Sequence, residues 1–262
     1  GVVTIASGAC GAAGAPPIAP PAPPSRPSAV VPAQPRGAGT VVQPTPPRPT
    51  AVERPVSPLK PKQRSAANKP KGGAPPDHIV VVILENKYRS SVIGSGHAPY
   101  LNKLADRGAS MSRSYGVTHP SQPNYLALFS GSTQGVTSDA CPQNLGKADN
   151  LGRQLRKSGR TFVGYAESLP RTGFRGCESG RYLRKHNPWV DFDTLPASTN
   201  RPLTEFPGDY SKLPTVAFVS PNMCHDMHDC SIRTGDRWMK KHFARYARWA
   251  PRHNSLLIVT FD

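Results

Sequence analysis

The chain has 262 residues with 33 Lys/Arg against 16 Asp/Glu, 31 prolines and five cysteines. That length admits one large domain or two small ones. No segment reaches the roughly 18 consecutive apolar residues of a membrane span. The net charge of +17 favours anionic partners, yet no basic run is interleaved with aromatics and no nucleic-acid motif is present, which argues against a specific nucleic-acid partner.

Taken in order, the chain opens on GVVTIASGAC, which resembles the end of a secretory signal region whose small residues precede a cysteine. Export is expected on this ground, with Cys10 a candidate for lipid anchoring. Of the 31 prolines, 19 fall before Asp77, in runs such as APPIAPPAPPSRPSAVVPAQPRG, where apolar periodicity is absent. Residues 1–76 are therefore expected to form a signal-region remnant and a disordered, partly polyproline-II linker. The nine Lys/Arg of this tail face Glu53 alone, a charge suited to solubility or to contact with an anionic cell envelope.

A folded domain is expected over 77–262. HIVVVIL (78–84) is a β-branched apolar run of the kind buried on both faces in a parallel sheet. It delivers Glu85 and Asn86 to a strand's carboxyl end, where open α/β sheets place ligands. APYLNKLADRGA has helical apolar spacing and Gly108 as a stop. In GVTHPSQPNYLALFSG, Ser121 lies between Pro120 and Pro123 in a stiff turn just before a helix expected over Tyr125–Phe129, and free N–H groups at such an N-terminus favour an anion; a proline-rich turn with an N-cap serine is the alternative.

NLGRQLRKSGRTFVGYAESLP reads as helix, glycine turn and strand (161–166). Residues 168–214, rich in Gly, Pro, Arg and aromatics, read as a long functional loop or lid. TVAFVS (215–220) is a strand delivering PNMCHDMHDC, and 238–249 carries a helical stripe of Met239, Phe243, Tyr246 and Trp249. NSLLIVTFD is a last strand ending in Asp262. Such alternation predicts a layered α/β domain with a mostly parallel sheet. Cys141, Cys177, Cys224 and Cys230 suit two disulfides in an oxidising compartment; the spacing leaves their pairing open, with 141–177 and 224–230 favoured.

Three strand ends thus carry polar clusters: Glu85-Asn86, then Asn222 with His225, Asp226, His228 and Asp229, then Asp262. Oxygen ligands from separate strands, histidines and a hydroxyl at a helix start are what metal-assisted phosphoryl chemistry requires. The motifs HIVVVILEN, APYLNKLADRGA, VTHPSQPNYLALFSGSTQGV, RKHNPW, LPTVAFVSPNMCHDMHDCSI and SLLIVTFD together resemble the bacterial phosphoesterase family of secreted acid phosphatases and phospholipases C, nearest its acid phosphatase branch. A remoter likeness joins SQPNYLALFSG to the nucleophile motif of the alkaline phosphatase superfamily.

The resemblance implies a three-layer, alkaline phosphatase-like α/β fold and an exported, metal-dependent acid phosphatase. Its substrate would be a phosphomonoester, with phosphoinositides or other phospholipid-derived phosphates as candidates. Ser121 matches the nucleophile that forms a phosphoseryl intermediate. Glu85, Asn86 and Asp262 match metal ligands. His228 matches a phosphate-contacting histidine, with Asp226 (a further metal ligand) and His225 beside it. Asn124 matches a donor to a phosphate oxygen.

His119, two residues before Ser121, is a candidate general base, and His186 and Lys185 are candidates to reach the phosphate from the lid. Oxygen-rich ligands suit Ca, Mg, Mn or Fe. Family members continue beyond the position of Asp262 with a second acidic ligand, so the chain is expected to be truncated there with an incomplete metal shell. The alternatives are a phospholipase C-type phosphodiesterase and an inactive, envelope-associated binding module.

Overall fold

The computed structural model describes Val3–Ala6 and residues 74–262; the expected proline-rich linker and Cys10 lie outside the described residues. In chain order the elements are β1 (Val3–Ala6), β2 (His78–Leu84), α1 (Arg89–Val92), α2 (Pro99–Arg107), α3 (Ser121–Ser130), α4 (Leu151–Lys157) and β3 (Phe162–Ala166). A two-stranded antiparallel ribbon follows, β4 (Glu178–Ser179) with β5 (Tyr182–Leu183), and then β6 (Asn200–Pro202), β7 (Val216–Ser220), α5 (Ile232–Trp249) and β8 (Ser255–Phe261). Six strands form one sheet in the order β1-β8-β2-β7-β3-β6, and every pair in it is parallel.

The β-branched run of β2 lies at the centre of this sheet because it can bury both faces. Val80, Val82 and Leu84 point toward α2 and α5, packing with Met239, Phe243 and Tyr246. Val81 and Ile83 point the other way, toward Tyr125, Leu126 and Phe129 of α3. The period of two in β7 divides in the same manner, Ala217 and Val219 on the first face, Val216 and Phe218 on the second. The result is the three-layer α/β architecture expected. Among the described residues no helix is long and apolar enough to cross a membrane.

Local signals set the helix ends. α5 begins at Ile232, six residues before the apolar stripe that reveals it in the sequence, because Ser231 caps it by accepting from the Thr234 N–H. The buried Asp236 of α5 accepts the Tyr100 and Leu101 N–H groups at 3.2 and 2.8 Å, supplying α2 with the cap that Ala98 cannot. α3 ends at Gly131, whose φ of 75° is the left-handed conformation of a C-terminal stop.

Residues 168–214 are not the lid expected. They hold short strands and 3-10 turns, and they place Trp189, Val190 and Phe192 in the core beside α3. Arg184 anchors the segment from inside: its guanidinium is 2.9 Å from Asp191 and donates to the Arg175 and Gln143 carbonyls. The disulfides Cys141–Cys177 and Cys224–Cys230 tie this segment and the loop after β7.

Trp189 sits directly on β3 at Gly164, where an added Cβ would lie 2.1 Å from the indole, and the indole N–H donates to Asn200 Oδ1 at 2.8 Å. Gly164→Ala is therefore expected to destabilise the fold by about 2 kcal/mol or more, measured as a lowered denaturant midpoint. An unchanged midpoint would mean that Trp189 does not pin the segment to the sheet.

Candidate active site

The carboxyl ends of β2 and β7 are neighbours in the sheet, at the edge where open α/β sheets place their ligands. Glu85, first after β2, is fully buried, and its N–H donates to the Asp226 carbonyl at 2.7 Å. That bond joins the two strand ends. Asp226 is held by its own loop: its N–H donates to the Asn222 carbonyl, and its Oδ1 accepts the His228 N–H at 2.7 Å.

α3 brings the hydroxyls. Ser121 opens this helix, and Tyr125 follows one turn later on the same face, as residues four apart must. Ser121 Oγ donates to Glu85 Oε2 at 3.1 Å, and the Tyr125 hydroxyl donates to Oε1 at 2.6 Å. His186 completes the group from the segment behind: its ring stacks on Tyr125 at 4.9 Å between centroids and 13° between planes. Its Nε2 is 3.2 Å from Glu85 Oε1, and its Nδ1 is 3.5 Å from Asp226 Oδ2.

These approaches are close without being hydrogen bonds. His186 Nε2 and Asp226 Oδ2 are both buried with no hydrogen-bond partner, an arrangement that is costly unless a further group satisfies them. Burial drives the Glu85 carboxyl well above the usual carboxylate range, and the charges of Asp262 and Asp226 push it further than the Tyr125 and Ser121 hydroxyls pull it back. Burial, with Glu85 next, likewise raises the Tyr125 phenol well above its ordinary value.

One ligand atom from each of Glu85, His186 and Asp226 falls within 4.8 Å of the others. Two buried carboxylates and a buried imidazole, with His186 Nε2 and Asp226 Oδ2 lacking hydrogen bonds, fit a divalent cation by donor chemistry and by geometry.

The remaining sequence candidates are distributed around this group. Asp262 is buried, and its Oδ1 accepts the Asn86 N–H at 3.2 Å. Asn86 itself, at φ 48°, turns its side chain to the surface, so it meets the site through its backbone. Asn124 clamps the preceding loop, its Oδ1 accepting the Val117 and Thr118 N–H groups at 2.9 and 3.0 Å while its Nδ2 donates to the Thr118 carbonyl.

Lys185 pairs with Asp139 at 2.7 Å. Asp139 also accepts the Gln122 N–H at 2.9 Å; burial works against its charge, but Lys185 and that N–H outweigh it and hold the carboxyl below its usual range. The Asp139 link ties the start of α3 to the 184–186 turn. His225 Nδ1 lies 2.9 Å from both oxygens of Glu167, and the ring stacks on Trp238. His228 is exposed, with its Nδ1 2.8 Å from Asp229. His119 is exposed, and its carbonyl accepts from Thr118 Oγ1.

Sequence reasoning missed two groups. Tyr125 was legible as an apolar helix residue, but its spacing of four from Ser121 is the signal that its hydroxyl reaches the same carboxylate. Glu167, at the end of β3, accepts from the His225 ring, the Trp238 indole and the Asn222 N–H, and so orders the loop that carries Asp226. A carboxylate following a buried strand was its only signal.

With this geometry in view, the comparisons with known proteins are specific. The phosphoesterase family matches residues 93–262, and the chain belongs to that family. It is 49% identical over 187 residues to the phosphatidylinositol-3-phosphatase of Mycobacterium tuberculosis, across 71% of this chain and 62% of that protein. It is 33% identical over 174 residues to an acid phosphatase of Aspergillus fumigatus, across 61% of this chain and 39% of the fungal protein. A phosphate-repressible acid phosphatase of Penicillium chrysogenum is 31% identical over 175 residues, 62% of this chain and 42% of its own length. The chain thus spans between about two-fifths and three-fifths of these relatives. No solved structure matches it.

If Glu85, His186 and Asp226 hold a cation, His186→Ala is expected to weaken Mn²⁺ affinity by about tenfold or more in a calorimetric titration, with circular dichroism retained. Unchanged affinity would place the metal elsewhere.

Proposed function

We propose that this chain carries the nucleophile and part of the metal site of an exported, divalent-metal-dependent acid phosphatase that cleaves phosphomonoesters through a phosphoserine. The observation that carries the reading is the bond from Ser121 Oγ to Glu85, a carboxylate grouped with His186 and Asp226, each of which has a buried atom without a hydrogen bond. The names of the relatives, phosphatases rather than phospholipases, favour a monoester over a diester. Two disulfides support a life in an oxidising compartment, and with it secretion or attachment at the cell envelope.

In this reading Glu85, His186 and Asp226 hold the cation, with Asp262 contributing charge beside them. When bound, the cation supplies Lewis-acid stabilisation of phosphate oxygens and a lowered nucleophile pKa. The chain's own groups then do the following. Ser121, at the start of α3, directs its hydrogen to Glu85 and leaves an oxygen lone pair facing the crevice, where the helix N-terminus favours a bound phosphate. Its oxygen bonds to phosphorus as the bond to the ester oxygen breaks. The serine proton passes to Glu85, to which it is already hydrogen-bonded, and the departing alcohol takes a proton from His228, which Asp229 orients. Water then attacks the phosphoserine, releasing inorganic phosphate and restoring the hydroxyl.

Tyr125 and the stacked His186 ring keep Glu85 fixed and dry, which strengthens every charge interaction in the crevice. Asn124 contributes by holding the 117–118 backbone against the nucleophile's helix.

Ser121→Ala is expected to lower kcat on p-nitrophenyl phosphate by about a thousandfold or more while leaving Mn²⁺ affinity within about threefold. Full activity in that variant would exclude the serine as nucleophile. A protein that cleaved phosphatidylcholine but no monoester would move the assignment to the phospholipase C reading.

A further inference from the structure

Among the described residues, five large hydrophobic side chains stand exposed: Tyr88, Met111, Tyr115, Val117 and Leu128. Scattered exposed apolar residues are ordinary, but clustered ones mark interaction surfaces, and these are clustered. Met111, Tyr115 and Val117 belong to the loop between α2 and α3, where Tyr115 is 67% and Val117 68% exposed. Arg89 Nη2 donates to Ser110 Oγ at 3.3 Å, which sets the turn bearing Tyr88 beside that loop.

Tyr115, Val117 and Leu128 also line a cavity of about 250 Å³ whose other walls include Asn124, Tyr125 and Asp262. The apolar rim therefore opens at the same end of the sheet as Ser121 and Glu85.

Charge around the rim is one-sided. The two segments that form it, 86–89 and 108–117, contain Lys87, Arg89 and Arg113 and no carboxylate. An apolar and aromatic rim with Lys87, Arg89 and Arg113 in its own segments complements an anionic bilayer: the rings and methyl groups enter the headgroup boundary while the cations face lipid phosphates. A small soluble phosphate ester needs no such surface to be bound.

We propose that the 111–117 loop, with Tyr88 and Leu128 beside it, docks on an anionic lipid surface and so presents the crevice to phosphate groups carried on lipid headgroups. This rests on the phosphate-ester reading above and names where its substrate lies.

Vesicles of phosphatidylcholine with about 30% phosphatidylglycerol contain no phosphomonoester, so sedimentation with them measures docking apart from catalysis. The parent protein is expected to co-sediment, less so as salt rises. The double variant Tyr115→Ser/Val117→Ser is expected to partition about tenfold more weakly, with circular dichroism and Mn²⁺ affinity unchanged. Equal sedimentation of the double variant would assign vesicle binding to another basic segment and overturn the proposal, as would a parent that stays in solution. A concentration-dependent dimer, lost in the double variant and unaccompanied by vesicle binding, would assign the rim to a second copy of the chain.

Discussion

The site depends on one buried carboxylate. Glu85 receives hydroxyl hydrogens from Ser121 and Tyr125, faces the His186 ring, and through its own N–H joins the end of β2 to the loop after β7. A carboxylate so deeply buried is not stable as an isolated charge, and the repulsion of Asp226 and Asp262 makes it less so. The crevice therefore demands compensation from protons or a cation. That demand, rather than any single contact, is what makes Glu85, His186 and Asp226 a candidate metal site.

The surrounding architecture answers to the same constraint. β2 is buried on both faces so that its end lies deep, and α3 crosses that end with its hydroxyl residues one turn apart. The 168–214 segment, pinned by Trp189 against Gly164 and by Arg184 against Asp191, fixes His186 under the same carboxylate. Behind them Glu167 and Asp139 order the loops on either side. A positional error in any of these would separate ligand atoms that now lie within 4.8 Å.

Much of this was legible in the residues. β2, β3, β7 and β8 announce themselves as β-branched and aromatic runs, and the apolar residues 125–129 reveal α3, although it begins a turn earlier, at Ser121, than the prolines suggest. Less was legible where the signal is spatial. In 168–214, glycine, proline and arginine hide the periodicity, so a packed segment reads as a lid, although its aromatic residues are what bury it. His186 then looks like a substrate contact, whereas its place between Glu85 and Asp226 follows from stacking on Tyr125, a contact across 61 positions that no local pattern encodes. His225 and Asn86 sit in polar clusters that suggest ligands, yet one ring is taken by Glu167 and the other side chain faces outward. A cluster in sequence shows which loop reaches the site, not which side chain turns inward.

The central claim is that Ser121 is the group that bonds to phosphorus beside Glu85. Acid-quenching the Mn²⁺-loaded protein during turnover of a phosphomonoester and mapping covalent phosphate by mass spectrometry tests it directly. Phosphate on the peptide that contains Ser121, absent from Ser121→Ala, is the predicted result. Turnover with an unmodified Ser121 peptide and phosphate on another residue would contradict the account.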